Sequence, residues 1–188
     1  MTISTDLLRG SKTRLAALAD DDFAVLTAWH EDAGFNRLFD TRPASPMRSD
    51  EVKDFYGEML KSKNDYVFAV RPLEGESLLG VMMIDGIQWA HRAAGMAYAI
   101  GAPANRGQGY GTDAVRLGLR FAFNELNLYR LTVTVFSYNA ASLALAKKLG
   151  FTHEGTWREF FQRDGQRWDM LFFGLLRPEW EAMQGADD

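Results

Sequence analysis

A stretch near the middle of the chain holds the residues best placed for chemistry, three glycines that alternate with other residues just before a helical run. It reads Arg106-Gly107-Gln108-Gly109-Tyr110-Gly111-Thr112, and Asp113 opens the run. Glycines let the backbone turn tightly with its amides exposed, and the following helix directs unpaired N–H groups and the positive end of its dipole at the loop. The pattern therefore predicts a site for a phosphate or pyrophosphate. Ordinary helix entry, with Thr112 as the cap and Asp113 in the first turn, also explains part of the pattern.

Two other phosphate-binding loops have similar glycine patterns. A P-loop requires Gly-Lys followed by Ser or Thr, which this stretch lacks. Residues 109–114 do fit the G-x-G-x-x-A dinucleotide fingerprint. An acidic residue for the ribose is expected about 20 residues further on, but Leu128, Tyr129 and Arg130 stand there. The context disfavours a dinucleotide-binding protein, which stays an alternative that predicts binding of NAD.

The same stretch resembles the Q/R-x-x-G-x-G/A acyl-CoA pyrophosphate loop of the GCN5-related N-acetyltransferase (GNAT) superfamily, with residues 106–111 supplying each required position. A second block, Asn139-Ala-Ala-Ser142 followed by Lys148-Leu-Gly-Phe151, resembles the N-x-x-S…K-x-G-F signature of that superfamily. Order and spacing agree across roughly residues 66–176. The resemblance implies acetyl-CoA as cosubstrate and direct transfer of its acetyl group to a primary amine, either a protein N-terminus or a small amine such as a polyamine, an amino acid or an antibiotic.

The resemblance also implies how the cosubstrate is held. Backbone amides of residues 106–111 would hold the pyrophosphate, and the Arg106 guanidinium would add a phosphate contact or lie solvated. The strand edge at residues 99–101 would pair with the pantetheine arm, and an N–H near Ile100 would stabilise the oxyanion. A bulge at that edge would splay the strand from its neighbour and open a slot for the thioester. The predicted cofactor-binding residues are Ala99, Ile100, Gly101, Arg106, Gly107, Gln108, Gly109, Tyr110, Gly111, Thr112, Asn139 and Ser142.

The predicted catalytic residues depart from the commoner GNAT pattern. The tyrosine expected four residues before Gly150 is replaced by Ala146. Ser142 is the substitute general acid, and this combination resembles the RimJ/RimL-like branch that acetylates ribosomal-protein N-termini. A serine that only satisfies a backbone group at the start of its helix is the alternative. Asn139 would contact the pantetheine or place the amine, or simply cap its helix.

A general base is harder to assign. Where many relatives carry a glutamate on the fourth strand, this chain has Gly95. Glu159, on the first arm of the final hairpin, is the candidate, and Glu154, His153, Asp85 or a chain of water molecules are lesser options. The missing tyrosine and strand glutamate leave open a catalytically silent acyl-CoA-binding module.

Composition excludes several classes of function. The chain has 188 residues, 47% of them hydrophobic, which fits a single N-acetyltransferase domain over residues 1–188. It has no cysteine, so disulfides, thiolate metal sites and cysteine nucleophiles are excluded. A formal charge of −4 gives no footprint for nucleic acid, and three scattered histidines predict no metal site. No run approaches the about 18 apolar residues of a membrane span, so we expect a cytoplasmic protein without membrane contact.

The elements that position these residues follow from the periodicity of the chain. Helices are predicted over residues 20–29, 50–61, 112–125 and 140–149, with Ser49 as the cap of the second helix and Gly150 as a left-handed C′ residue of the last. Strands are predicted over residues 11–18, 66–71, 78–85, 94–100 and 131–136, and Asp164-Gly165 predicts a hairpin within residues 160–173.

Together these elements predict a mixed α/β (α+β) sandwich. Its sheet is mostly antiparallel and flanked by helices, with one crossover that makes a splayed parallel strand pair, the layout that the GNAT resemblance implies. The two early helices would wall the acceptor pocket. Four aromatic residues near the end of the chain either line a homodimer face or fill the core. They are Trp157, Phe160, Phe161 and Trp168.

Overall fold

The computed structural model describes residues 6–184, in which seven strands join in one sheet. The strands are β1 (Thr13–Ala16), β2 (Tyr66–Pro72), β3 (Gly80–Gln88), β4 (Ala93–Ile100), β5 (Arg130–Phe136), β6 (Thr152–Arg163) and β7 (Gln166–Leu176). Their spatial order is β1-β2-β3-β4-β5-β7-β6. The β4–β5 pair is parallel and the other neighbours are antiparallel. The predicted mixed α/β fold is therefore confirmed.

Helices flank this sheet on both faces. They are α1 (Asp22–Glu31), α2 (Ala33–Phe39), α3 (Ser49–Lys61), α4 (Tyr110–Arg120), α5 (Ala140–Lys148) and α6 (Arg177–Gln184). A π-helical turn, Phe121–Glu125, extends α4 to the end predicted for it, and Gly150 has the left-handed φ of 79° expected after α5. The sequence did not predict α2 or α6. Ser49 is the first residue of α3 rather than its cap, because the turn closes one residue earlier, where the backbone N–H of Arg48 donates to Glu51 Oε2 at 2.8 Å.

The core lies on both sides of the sheet because strand residues alternate between its faces. On β2, Val67 and Ala69 pack under α1 and α3, while Val70 packs on the opposite face with α4. Leu26 and Tyr56 close the first of these clusters from the two helices. Two helical layers therefore cover a sheet that is buried on both faces near its centre.

The pairing of β4 with β5 ends early. Ala93, Ala94 and Gly95 pair with residues 130–132, after which β5 continues beside β7 while β4 continues beside β3 as far as Ile100. The two parallel strands thus diverge and leave a wedge-shaped opening in the middle of the sheet. The predicted splayed strand pair is present.

The predicted cause of the splay was wrong. Ala99 and Ile100 pair regularly with Val81 and Gly80, so the edge at residues 99–101 carries no bulge. The register shift lies instead between Asp85 and Gln88 at the other end of the pair. The strands diverge because β5 follows β7 rather than β4 beyond residue 132.

The final hairpin is longer than predicted. Its turn is Asp164-Gly165, and both residues have positive φ values, 51° and 74°, as a type I′ turn requires. The first arm, β6, begins at Thr152 and is interrupted by two register shifts, between His153 and Gly155 and between Trp157 and Phe161.

Within residues 6–184, each helix is too short or too polar to span the apolar interior of a bilayer.

Candidate active site

The glycine loop has the backbone geometry that its sequence predicts. Gly107 and Gly109 have left-handed φ values of 73° and 87°. A Cβ at Gly107 would meet nothing within 4 Å, so the backbone conformation rather than crowding favours glycine there. Gly109 is the N-cap of α4, which begins at Tyr110. Thr112 therefore lies in the first turn of the helix, and the prediction that it caps the helix was wrong.

The loop is fastened to the first strand through Asp113. The backbone N–H groups of Ser11, Lys12 and Thr13, together with the hydroxyls of Ser11 and Thr13, donate to its carboxylate at 2.8–3.1 Å. Burial would raise the pKa of Asp113, but these hydrogen bonds outweigh burial and hold the pKa below its usual value. The Lys12 ammonium donates to the Gln108 carbonyl at 2.9 Å and so brings a positive charge to the loop. Sequence reasoning missed this lysine because about a hundred residues separate it from the loop.

Arg106 braces the loop against β4. Its Nε donates to the carbonyl of Ile100 at 3.1 Å and its Nη2 to the carbonyl of Gly101 at 2.7 Å. The guanidinium therefore holds the backbone between the strand and the loop, and it also lines the cavity beside the loop. Two of its three guanidinium nitrogens, Nε and Nη2, are therefore used in contacts with the protein's own backbone.

A cavity of about 420 Å³ extends from the loop into the opening between β4 and β5. From the predicted cofactor set it is lined by Ala99, Ile100, Arg106, Gly107, Gly109, Gly111, Thr112, Asn139 and Ser142, and it also includes Tyr98 and Lys148. We call it the donor cavity. Its volume lies in the range of about 300–1,000 Å³ that small-molecule sites have.

Three members of the predicted cofactor set do not line the donor cavity. Gln108 is exposed and contributes its carbonyl to Lys12. Tyr110 packs against the core, and Gly101 is buried with its N–H donated to the Leu79 carbonyl. Since N–H groups alternate along a strand, the N–H of Ile100 faces the opening instead. That N–H is available to a ligand, as the oxyanion role requires.

A second cavity of about 340 Å³ lies on the other side of the opening. We call it the acceptor cavity. Its apolar wall comes largely from Leu38, Phe39, Phe55, Met59, Met83, Met96, Val133, Val135 and Phe136. Two carboxylates, Asp40 and Asp85, also line it. Of the two early helices predicted to wall this cavity, α3 supplies Phe55 and Met59, whereas no residue of α1 lines it, because α2 lies in that place and supplies Leu38 and Phe39.

The two cavities share a wall whose polar residues are Tyr98, Asn139 and Ser142 and whose apolar residues are Leu38 and Phe39. Asn139 caps α5 by accepting from the Ser142 N–H at 3.1 Å, which fixes the serine in the first turn of that helix. Burial raises the pKa of the Tyr98 phenol, and the neighbouring Ser142 side chain offsets the rise only in part. The phenol is therefore protonated at neutral pH and can supply a proton. Sequence reasoning missed Tyr98, since an aromatic residue on a strand usually indicates core packing.

Asp85 and Asp40 differ in their surroundings. Asp40 accepts from Arg42 Nε at 2.7 Å, and these interactions lower its pKa although burial opposes them. Asp85 has no salt bridge among residues 6–184. Burial raises its pKa, and the nearby charge of Asp65 raises it further. Asp85 is thus the carboxylate of the acceptor cavity that is better suited to take up a proton.

The predicted base Glu159 is not brought to the site. It is exposed on β6 inside a register shift, with a φ of 54°, and its backbone N–H donates to Asp169 Oδ1 at 2.8 Å. Glu154 is paired with Arg130, which lowers its pKa, and His153 is exposed beside Thr156. None of these three side chains lines either cavity.

Comparisons with known proteins agree with this architecture. Residues 12–152 match the family model described as an acetyltransferase (GNAT) domain. Among solved structures, spermidine N-acetyltransferase from Vibrio cholerae in complex with CoA and spermine has a TM-score of 0.82 at 23% identity, covering 91% of this chain and 99% of that chain. A likeness at this identity shows the shared fold.

Two relatives are similar in sequence. A putative ribosomal N-acetyltransferase of Bacillus subtilis is 32% identical over 106 residues, which are 56% of this chain and 57% of that protein. Spermidine N(1)-acetyltransferase of Escherichia coli K12 is 31% identical over 116 residues, 62% of this chain and 61% of that protein. The chain thus spans less than two thirds of the length of these relatives. Because the family model covers most of the chain, and the fold and glycine loop agree with it, the chain belongs to the GNAT acetyltransferase family.

Proposed function

We propose that residues 1–188 act as one domain that transfers an acetyl group from acetyl-CoA directly to a primary amine. The observation that carries the proposal is the shared wall of Tyr98, Asn139 and Ser142 between the donor and acceptor cavities. Two ligands that enter from opposite sides would meet there without a covalent enzyme intermediate. Such a site needs to hold both reactants close together in the correct orientation and to stabilise charge as it develops in the transition state.

The residues present fit the cosubstrate. The left-handed glycines expose loop amides next to the N-terminus of α4, where a diphosphate is favoured. Lys12 and Lys148 stand near the loop and the donor cavity as additional cations. The backbone of β4 that faces the opening can pair with an extended arm. The thioester that acetyl-CoA supplies is already activated, so no nucleophilic side chain is required.

The chain's own groups have three tasks in the transfer. The Ile100 N–H can stabilise the oxyanion when the amine nitrogen bonds to the carbonyl carbon. As the carbon–sulfur bond breaks, Ser142 can donate a proton to the leaving thiolate, and the protonated phenol of Tyr98 can supply the serine with a proton in turn. Asn139 holds the serine in place through its cap. The proposal keeps Ser142 as general acid and adds Tyr98 as its partner.

The acceptor is a primary amine, either a protein N-terminus or a polyamine-like small amine. The named activities of the two relatives support both classes. Serine at residue 142 together with alanine at residue 146 supports the RimJ/RimL-like branch, in which N-termini are acetylated. The acceptor cavity combines apolar walls with carboxylates, which suits a cationic amine on an aliphatic chain. A cytoplasmic location stays a prediction from the sequence.

The test is to incubate the purified protein with acetyl-CoA and either spermidine or a tetrapeptide with a free N-terminus, and to follow thiol release with a colorimetric thiol reagent. The chain has no cysteine, so every thiol detected comes from CoA. We expect turnover with at least one acceptor. Tight CoA binding without turnover on a broad amine panel would instead support the silent acyl-CoA-binding module.

Self-association through the final hairpin is part of the proposal. Trp157 and Phe160 are 54% and 48% exposed on the edge strand β6, and their rings lie 5.1 Å apart. Phe161 and the partly buried Trp168 pack inward instead. Sedimentation equilibrium should show a dimer that Trp157→Glu dissociates, whereas a monomer at every concentration would contradict this.

A further inference from the structure

Asp85 occupies space that its partner strand leaves empty. Asp85 and Gly95 are direct partners in the antiparallel β3–β4 pair, so their side-chain positions lie on the same face. A Cβ built at Gly95 would stand 2.8 Å from Asp85 Oδ1, closer than real atoms approach. The missing side chain at residue 95 therefore makes room for the carboxylate of residue 85.

The position of Asp85 relative to the reacting atoms is set by the strand. Tyr98 lies three residues beyond Gly95 on β4, about 10 Å along the extended chain and with its side chain on the opposite face of the sheet. Both Asp85 and Tyr98 line the acceptor cavity. A carboxylate in this position does not reach the thioester, but it can exchange a proton with an amine through water in the same cavity.

The other charged and titratable groups around Asp85 leave it as the proton acceptor. The Asp40 carboxylate is paired with Arg42. Asp65 does not line the cavity; its carboxylate accepts from the Gly86 N–H at 2.7 Å, and its charge acts on Asp85 from outside. The Tyr98 phenol is protonated, because burial raises its pKa, and it lines the cavity together with Ser142.

We propose that Asp85 is the general base of the acetyl transfer, reached by the amine through water, and that Gly95 is the glycine that admits it. The inference rests on the proposed function. An acceptor that arrives as an ammonium ion gives one proton to the Asp85 carboxylate, which forms the neutral amine. The nitrogen then bonds to the thioester carbon, the carbon–sulfur bond breaks, and the second proton lost by the nitrogen balances the one that the thiolate receives. Asp85 returns its proton to solvent before the next turnover.

The first test is the pH dependence of kcat/KM for Asp85→Asn, with spermidine or the tetrapeptide, whichever is acetylated faster. We expect a loss of about 10²-fold at neutral pH, the lower end of what a general base contributes. The loss should shrink as the pH rises toward the pKa of the amine, since the free amine then needs no base. A variant with a merely distorted structure would be impaired equally at every pH.

A second variant changes the pKa of Asp85 without replacing Asp85 itself. Asp65→Asn keeps an oxygen that can accept from the Gly86 N–H but removes the charge that raises the pKa of Asp85. The acidic limb of the kcat/KM profile should move to lower pH while the plateau is unchanged. Glu125→Gln, an exposed carboxylate at the far end of the π-helical turn, is the matched control and should leave the profile in place.

The space at residue 95 supplies a rescue experiment. Gly95→Ala should lower kcat because its Cβ displaces the Asp85 carboxylate without removing it. In an Asp85→Ala background, Gly95→Asp returns a carboxylate to the same space from the neighbouring strand and should restore at least about 10-fold of the activity lost, part of the range that a general base contributes. CoA affinity, measured by calorimetry, reports that each variant is folded, because Asp85 and Gly95 do not line the donor cavity.

The outcomes separate the two proposals. If the wild-type protein acetylates neither probe, the proposed function fails and the base assignment fails with it. If the wild-type protein is active but Asp85→Asn raises only KM and keeps the pH profile, Asp85 binds the acceptor's charge and is not the base. If Glu159→Gln removes the acidic limb instead, the base is Glu159 and the inference is overturned.

Discussion

Ser142 and Tyr98 meet at the boundary of the two cavities although they come from different elements, α5 and β4. Ser142 was visible in the sequence because it follows Asn139 at a fixed spacing. Tyr98 was not, because its role depends on β4 leaving β5 after Gly95. A tyrosine on a fully paired strand would be buried in the core, whereas here the opening exposes its phenol to both cavities.

Removing either hydroxyl should slow the chemical step. Ser142→Ala and Tyr98→Phe are each expected to lower kcat about 10²-fold, the lower end of the range for general acid catalysis, while the KM for acetyl-CoA stays near the wild-type value. Because the two groups act as a pair, the double variant should lose little more than either single one. Steady-state kinetics would check this, and multiplicative losses would show that the two hydroxyls act independently.

Gly101 shows how closely α1 packs against the end of β4. A Cβ at residue 101 would lie 1.9 Å from Trp29 Cε2. Gly101→Ala must therefore push α1 away from the end of β4, and we expect a loss of about 1–3 kcal/mol in the free energy of unfolding, as overpacking costs. Gly57→Ala on α3, where a Cβ meets nothing within 4 Å, should gain about 0.5–1 kcal/mol. Urea unfolding of both variants checks the opposite signs, and equal losses would contradict this account.

At the scale of elements, buried polar groups join pieces that the sequence separates. His30 on α1 is buried, with Nδ1 2.8 Å from Asn36 Oδ1 on α2 and Nε2 3.1 Å from the Tyr56 hydroxyl on α3. Burial lowers the pKa of His30, so the ring is neutral at physiological pH. This network joins α1 to α2 and α3, the two helices that line the acceptor cavity.

Asp113 makes the corresponding join on the donor side. Asp113→Asn replaces one acceptor oxygen with a donor that faces N–H groups, and we expect a loss of about 1.5–3 kcal/mol in unfolding free energy at neutral pH. CoA affinity should fall as well, because Asp113 holds residues 11–13 in place and thereby positions the Lys12 ammonium beside the glycine loop. Urea unfolding and calorimetry test the two effects.

The contribution of Asp113 to the free energy of unfolding should fall as the pH is lowered. The folded-state pKa is lower than the unfolded value of about 3.9, so the ionised carboxylate stabilises the fold above that pH. The contribution is lost as the pH falls through the folded pKa. The wild-type protein and Asp113→Asn should therefore differ at pH 7 and converge in strong acid, and a constant difference would contradict the assignment.

Much of the element order could be predicted from the sequence, because local signals and tertiary packing agree. The Asp164-Gly165 turn and the β-branched run of β5 are examples. The helix α2 was missed because it is short, contains Gly34 and depends on tertiary contacts such as the bond from Asn36 Nδ2 to the Ser45 carbonyl. The sequence did contain a signal for the start of α6, because Pro178 lies in its first turn, where proline is favoured.

At the scale of the whole molecule, the site is a gap in the sheet rather than a pocket on a surface. The glycine loop and the residues Asn139 and Ser142 could be predicted because their motif is contiguous. The register shifts of β6 place Glu159 outside both cavities, and its role as the base stays a prediction. Asp85 and Gly95 could not be weighed together before the β3–β4 register was known.

A ligand that fills this gap should stabilise the whole fold. At a CoA concentration of about 100 times Kd, binding adds about 2.7 kcal/mol, which corresponds to a rise of about 5–10 °C in Tm for a domain of this size. NAD at the same concentration should leave Tm unchanged, because the sheet lacks the doubly wound parallel strands of a dinucleotide fold within residues 6–184. Thermal-shift measurements decide this, and a rise with NAD alone would favour the dinucleotide alternative.

The early end of the β4–β5 pairing also affects aggregation and mutational tolerance. Unpaired strand edges usually lie at the rim of a sheet, where they invite pairing with another chain. Here the free main-chain groups after Gly95 lie in the interior, where a small extended ligand can reach them but a foreign strand cannot. Because these groups belong to the backbone, most side-chain replacements at residue 100 should spare them, and proline, which lacks the N–H, should not.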